Sequence, residues 1–237
     1  MKPRPFHLPL KHLLLAAACG LGSMAAPVAA QVAPSAAEAA AYKGLHAAAH
    51  KGDVARIEKL SPSKTDLDAR DGNGRTPLHV ATFARQTGAI RALVKAGASL
   101  NLLDKDIYDG VTMASVADDE DTLRVLLSLG ASARQVTSRY DGTALIAAAH
   151  LGHDGVVKQL IAAGAPLDHV NNLHWTAVIE SIVLGNGGPR HQATLKALID
   201  AGASLQLADR QGNTPLQLAK SRGYGEMVKM LEKAGAR

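Results

Sequence analysis

The sequence predicts an all-α solenoid of six stacked helix–turn–helix units joined by β-hairpin-like loops. Two markers that repeat with one period and one compositional fact support this. The dipeptide Gly-Ala recurs at Gly97, Gly130, Gly164, Gly202 and Gly235, at gaps of 33, 34, 38 and 33 residues. A Thr that opens an apolar helical run recurs at Thr76, Thr143, Thr176 and Thr214, with Asp109 and Lys43 in the equivalent places of two further units. A fixed period of this size is the signature of repeat architectures. The compositional fact is that only 3% of the 237 residues are aromatic while 47% are hydrophobic. A core without large rings is filled by Leu, Val, Ile and Ala, which suits closely packed helices better than a β-sandwich.

Each unit begins with the same local chemistry. Thr76 can cap a helix through its hydroxyl, and Pro77 sits at the first helical position, where its missing N–H costs nothing. Leu78 and Ala81 fall on one face at i, i+3 spacing. The second helix of a unit shows i, i+3, i+4 stripes, as in Ile90-Leu93-Val94, Val157-Leu160-Ile161 and Leu195-Leu198-Ile199. The Gly after each stripe suits a left-handed C-cap. Such a helix pair has one apolar face and no core of its own, so neighbours must stack.

The segments Asp71-Gly72-Asn73-Gly74-Arg75-Thr76-Pro77-Leu78-His79-Val80-Ala81 and Asp209 through Ala219 resemble the ankyrin-repeat family. The resemblance divides residues 38–237 into units 38–70, 71–103, 104–136, 138–170, 171–208 and 209–237, preceded by a short Ala-rich leader, 31–37, to which no structure is assigned. Three units depart from the pattern. In the first, Lys64 replaces the capping Gly and Ser61-Pro62-Ser63 shortens the second helix, as suits a terminal unit. The third has Asp109-Gly110-Val111-Thr112 in place of Thr-Pro-Leu-His, so its first helix should start less crisply. The fifth carries about five extra residues, Asn186-Gly187-Gly188-Pro189-Arg190, which read as a loop between its helices.

Residues 1–30 read as an export signal. Lys2, Arg4 and Lys11 precede an apolar stretch from Leu13 to Met24, and the small residues Val28 and Ala30 stand at −3 and −1 of a cleavage site before Gln31. Pro27 and the Ala/Gly content make it a poor membrane span. The alternative is lipidation of Cys19, which follows Ala16-Ala17-Ala18, although a bulkier residue is expected where Ala16 stands. The expected address is the periplasm. Cleavage removes the chain's single cysteine, and with it any disulfide, thiol nucleophile or Cys-ligated metal. It also reduces the net charge from +5 to +2, with 23 Lys and Arg against 21 Asp and Glu. So neutral a body has no electrostatic drive toward polyanions, and neither nucleic acid nor, after cleavage, a membrane is an expected partner.

No cofactor or catalytic residue is expected. His150-Leu151-Gly152-His153 looks like a metal pair, but the repeat places His50 and His150 at one position, and His153 and His191 at another. No carboxylate or thiol stands at ligand spacing beside them. The resemblance implies that His46 and His79 are structural hydrogen-bonders joining neighbouring loops. Asp104 through Gly110 fails as a calcium loop, because its third Asp comes one residue late and Ser115 stands where a bidentate Glu is needed. Asp118-Asp119-Glu120-Asp121 reads as a helix N-terminus. The sequence has no Gly-x-Ser-x-Gly, His-Glu-x-x-His or phosphate-cradling loop.

The resemblance further implies a concave recognition face, built from hairpin tips and from the ends of the first helices. Tyr42, Tyr108 and Trp175 precede the Thr-equivalent position, Tyr140 lies on a hairpin, and Phe83 ends a first helix. With Arg75, Arg139, His150, Leu173, Val183 and Leu184 they compose an interface of aromatic, Arg and apolar residues suited to a partner protein. The alternative reading is an enzyme or a small-ligand or metal carrier, using Glu180, His174 and His191 near the 186–190 insertion.

Overall fold

In the computed structural model, which describes residues 31–63 and 66–237, the chain runs as two parallel rows of helices. The first helices of the six units form one row: α2 (Gly44–Lys51), α4 (Pro77–Phe83), α6 (Gly110–Val116), α8 (Ala144–Leu151), α10 (Ala177–Val183) and α12 (Pro215–Ser221). The second helices form the other: α3 (Val54–Leu60), α5 (Thr87–Ala96), α7 (Glu120–Ser128), α9 (Asp154–Ala162), α11 (Pro189–Asp200) and α13 (Gly225–Lys233). Each helix packs on its partner and on its counterparts in the units before and after it. The export signal, its cleavage after Ala30, the lipidation of Cys19 and the Lys64 position lie outside the described residues.

The two sequence markers correspond to backbone requirements. Gly97, Gly130, Gly164, Gly202 and Gly235 all have positive φ. In these five units the Ala that follows donates its N–H back into the second helix, as from Ala98 to Leu93 O at 3.0 Å and from Ala165 to Leu160 O at 3.0 Å. The Gly therefore supplies the left-handed turn that closes the helix, and the Ala is the small residue that the turn buries. The Thr hydroxyls of Thr76, Thr143, Thr176 and Thr214 accept the N–H three residues on, which makes them true N-caps. Asp109 does the same for Thr112 N at 2.7 Å, so α6 begins as sharply as its neighbours. The expectation of a weak start is corrected: a short carboxylate accepts the orphan N–H as well as a hydroxyl does.

The core between the rows consists of Leu, Val, Ile and Ala, with Met227 in the last unit. A pair of short strands, β1 (Val136–Thr137) and β2 (Gly142–Thr143), forms the hairpin of the fourth unit. Neighbouring hairpins are joined backbone to backbone, by Lys105 N to Asn73 O (3.1 Å), Ser138 N to Ile107 O (2.9 Å) and Asn172 N to Tyr140 O (3.0 Å). At the opposite end the fourth, fifth and sixth units each cap the unit before. His153 Nδ1 lies 2.9 Å from Ser115 O, His191 Nε2 lies 2.9 Å from His150 O, and Arg222 donates to the carbonyls of Ile182 and Val183. These groups meet the unsatisfied carbonyls at helix C-termini, where donors and positive charge are favoured.

Two sequence expectations are corrected here. The leader is not without structure: Ala36–Ala41 forms a further helix, α1, because Ser35 and Glu38 make a reciprocal capping box. Nor is 186–190 wholly a loop. Gly185–Gly188 makes the turn, with Asn186 Oδ1 accepting Gly188 N at 2.9 Å. Pro189 then occupies the first position of α11, which at 12 residues is the longest second helix among the described residues. Proline presets the dihedral that a helix start requires, so the insertion lengthens the helix. Arg190 on this extension reaches over the fourth unit and grips both carboxylate oxygens of Asp118 in the third, at 3.1 and 2.8 Å.

Candidate functional site: the face of the hairpins and first helices

Four hairpins are organised by the side chain at their base. Asp71 Oδ1 accepts Asn73 N and Arg75 N at 2.8 and 2.9 Å, and Asp104, Asn171 and Asp209 repeat this arrangement. Just before the helix caps the turns form a row of equivalent positions, namely Tyr42, Arg75, Tyr108, Gly142, Trp175 and Asn213. A second row, at or next to the ends of the first helices, comprises His50, Phe83, Val116, His150, Val183 and Ser221. The Tyr42 ring lies 5.4 Å from His46 and 6.3 Å from His50, so the two rows share one face.

The nominated contact residues are distributed unevenly on that face. Leu173 is 38% exposed, Arg139 is exposed, and Phe83, Tyr140, His150, Trp175, Val183 and Leu184 are half-buried. Residues of the fourth and fifth hairpins are brought together. Asn172 N bonds Tyr140 O and Asn172 Nδ2 bonds Arg139 O (3.1 Å), which sets Arg139-Tyr140 beside Leu173 and Trp175. Arg139 also pairs with Asp106 at 3.3 Å. Ile107, on the third hairpin, is 41% exposed and extends the apolar tips, although sequence reasoning did not single it out.

Two of the nominated residues are buried. Tyr108 is only 6% exposed, so it covers its own hairpin and presents little to a partner; burial raises its hydroxyl pKa. Arg75 is 1% exposed. Its Nε donates to Asp71 Oδ2 at 2.7 Å, its Nη2 to Glu38 Oε1 at 2.6 Å and its Nη1 to Val32 O at 3.1 Å. Val32 of the leader and Glu38, the first residue of the unit that follows it, are what cover Arg75.

The imidazoles join loops. His79 Nδ1 accepts Thr76 N at 3.0 Å, so Nε2 carries the proton and donates to Leu102 O of the next hairpin at 2.9 Å. Burial pushes its pKa down to about 4. His46 Nε2 lies 3.0 Å from Arg75 O in the same manner.

One ionisable cluster does not follow the repeat. Glu180 takes a position in α10 that Val80, Met113 and Leu218 occupy in other units, and it is 5% exposed. Its Oε1 accepts from Asn171 Nδ2 at 3.0 Å, and its Oε2 lies 3.5 Å from His150 Nδ1. Burial raises the carboxyl pKa to about 7, and the bond from Asn171 opposes that only in part. Burial, followed by the neighbouring His191 and His153, lowers that of His150. Chemically this is a carboxyl and an imidazole that both favour their neutral forms. Among the described residues no group of three His, Cys, Asp or Glu is placed to hold a metal ion, and no helix is long and apolar enough to cross a membrane.

The family model for ankyrin repeats matches residues 13–104, 45–139, 111–205 and 145–237, which together span most of the sequence. The chain belongs to the ankyrin-repeat family. Among curated ankyrin relatives, the putative ankyrin repeat protein YahD of Escherichia coli is 34% identical over 190 residues, covering 80% of this chain and 94% of that protein. An ankyrin repeat domain of known structure from Acinetobacter baumannii is 45% identical, with a TM-score of 0.77 over 81% of this chain and 98% of the other. A chain in the structure of the Bd0816 predatory endopeptidase from Bdellovibrio bacteriovorus in complex with immunity protein Bd3460 is 26% identical, with a TM-score of 0.67, 81% of this chain and 98% of that chain being covered. Four further curated relatives are longer, and the chain spans less than half of each. Ankyrin repeats generally mediate protein–protein interaction.

Proposed function

We propose that this ankyrin-repeat protein is exported to the periplasm and binds another protein through the concave face of its hairpins and first helices. The observation that carries the reading is the cluster of Tyr140, Leu173 and Trp175 beside Arg139 on two hairpins whose backbones are bonded to each other. Aromatic and apolar side chains held on a fixed backbone, with an Arg at the edge, compose an interface hot spot at low ordering cost. Ile107 and Val183-Leu184 provide the apolar surround. The protease–immunity complex that contains a similar chain supports a protein partner for this fold.

The test is affinity capture from periplasmic extract with wild-type protein and with Trp175→Ala/Tyr140→Ala, followed by mass spectrometry. A partner captured by the wild type and reduced about tenfold by the double variant, at an unchanged melting temperature, supports this face. Equal capture rejects it. The intact mass of the exported protein tests the address: a chain that starts at Gln31 supports cleavage, and a lipidated Cys19 overturns it. The alternative of a ligand carrier or enzyme uses Glu180, His174 and His191 near the 186–190 insertion. His191 is engaged by the His150 carbonyl and Asn186, and Glu180 by Asn171, so that reading is not pursued.

A further inference from the structure

We propose that residues 31–41 are a displaceable cover over the N-terminal end of the inner face, and that the site beneath takes an acidic segment of a partner protein whose carboxylate replaces Glu38 on Arg75. The proposal rests on the reading of this face as a protein-binding surface, and it adds the chemistry of the partner.

The repeat itself places Arg75 among the presented residues, in the row with Tyr42, Tyr108 and Trp175. It is buried because the cover lies on it. Of the three guanidinium nitrogens, only Nε is held by its own unit, through Asp71. Nη2 and Nη1 are both held by the cover, through the Glu38 carboxylate and the Val32 carbonyl. With the cover removed, a guanidinium edge with two open nitrogens faces the groove. A planar fork of this kind is matched by a carboxylate and poorly by a neutral group. Asp71 carries the opposite charge but pairs only with Nε, which leaves the two Nη groups to a second carboxylate. The Asp71 oxygens are already taken by the Tyr42 hydroxyl at 2.7 Å, the Arg75 Nε and the amides of Asn73 and Arg75. Lys105 of the next hairpin, bonded to Gly72 O at 2.6 Å, adds a second positive charge at the tip.

The cover is held by few contacts. Helix α1 has six residues and buries none of them. Helices so short are marginal without tertiary packing, and α1 has polar anchors in place of apolar ones. Those anchors are the Arg75 bonds and Asn73 Nδ2 to Glu38 Oε1 at 2.6 Å. The Glu38 side chain is 37% exposed, so water already reaches the pair and lowers what it contributes. A tethered segment competes at an effective concentration of about millimolar. An acidic peptide that adds apolar contacts to the same carboxylate–guanidinium pair therefore displaces it.

The experiment uses the chain from Gln31 to Arg237 and its Glu38→Gln variant. The probe is a labelled peptide with the sequence of residues 31–43, with Glu or Gln at the position of Glu38, read by fluorescence anisotropy. The expected result is that the variant binds the Glu peptide about tenfold tighter than wild type does, and the Gln peptide about tenfold more weakly than the Glu peptide. Amide exchange over 33–41 should quicken in the variant while the rest of the solenoid is unchanged. Arg75→Gln should abolish peptide binding, with its melting curve checking that the fold survives. Equal binding of both peptides, or no gain in the Glu38→Gln variant, overturns the proposal. Neither outcome touches the Trp175-dependent capture, so the two readings fail separately.

Discussion

Asn171 donates its Nδ2 to Glu180 Oε1 at 3.0 Å, and the two residues depart from the repeat together. Three other hairpins carry Asp at the base, as Asp71, Asp104 and Asp209. Asn keeps the carbonyl oxygen that accepts the amides of Leu173 and Trp175, and its amide supplies the donor that a buried glutamate needs. Asn171→Asp should therefore destabilise the protein by about 1–3 kcal/mol at pH 8, because it leaves a buried acceptor unmatched and sets two carboxylates together. The double variant Asn171→Asp/Glu180→Leu should recover the loss, as read by urea midpoints.

The pH dependence of Glu180 follows from its raised value of about 7, against 4.5 for the ordinary group. The folded state holds a proton that the unfolded state gives up. The contribution is therefore intact below pH 4.5 and is lost as pH rises through 7. The shift corresponds to about 3 kcal/mol as an upper bound. Glu180→Gln retains an acceptor for Asn171 and cannot ionise. Its stability should be flatter than that of wild type between pH 5 and 8, and parallel curves would count against a buried carboxyl.

His79 acts in the opposite direction. Its folded pKa is about 4 against 6.5, because burial penalises the charged imidazolium. The unfolded state binds the proton more readily, so the contribution is complete above pH 6.5 and is lost as pH falls toward 4, again by about 3 kcal/mol. His79→Gln should abolish this acid limb in thermal melts from pH 7 to 4. It should also cost about 1–3 kcal/mol at pH 7, through the broken bridge to Leu102 O.

The parts of the fold that were legible in the sequence are those in which one residue type meets one local backbone need. The Gly-Ala pairs mark left-handed helix ends, and Thr76, Thr143, Thr176 and Thr214 mark caps. What was not legible depends on contacts across units. Arg75 reads as a presented residue until Glu38, 37 positions earlier, is seen to bury it. The 186–190 insertion reads as a loop because Gly and Pro break structure, yet Pro189 in its first position starts a helix. Glu180 reads in the sequence only as a residue near the 186–190 insertion. Comparing it column by column with Val80, Met113 and Leu218, and Asn171 with the three hairpin Asp residues, would have paired them.

Arg190 and Asp118 connect the fifth unit to the third, and their energetic weight should be small. Their side chains are 55% and 33% exposed, so solvent screens the pair. Arg190→Ala should cost about 0.5–1 kcal/mol in low salt and close to nothing in 0.5 M NaCl, near the usual range for exposed pairs. A double-mutant cycle with Asp118→Ala isolates the coupling. A coupling that persists in high salt would identify the bond as a rigid strap across the fourth unit.

Asp109 caps α6 through Thr112 N, but it does so as a carboxylate that is 1% exposed. Burial raises its pKa, and the bonds from Thr112 offset this in part. The cap and the charge can be separated. Asp109→Ala removes both and should cost about 1–2 kcal/mol at pH 7, the usual loss for a helix cap. Asp109→Thr keeps an oxygen for the Thr112 N–H, as at four other units, and removes the buried charge. It should match or exceed wild-type stability at pH 7, and its advantage should shrink as pH falls toward 4, because the wild-type carboxyl then protonates and ceases to oppose folding. Urea titrations at pH 4.5 and 7.5 decide the matter. If Asp109→Thr is as damaged as Asp109→Ala at both pH values, the carboxylate is needed for a contact beyond the cap.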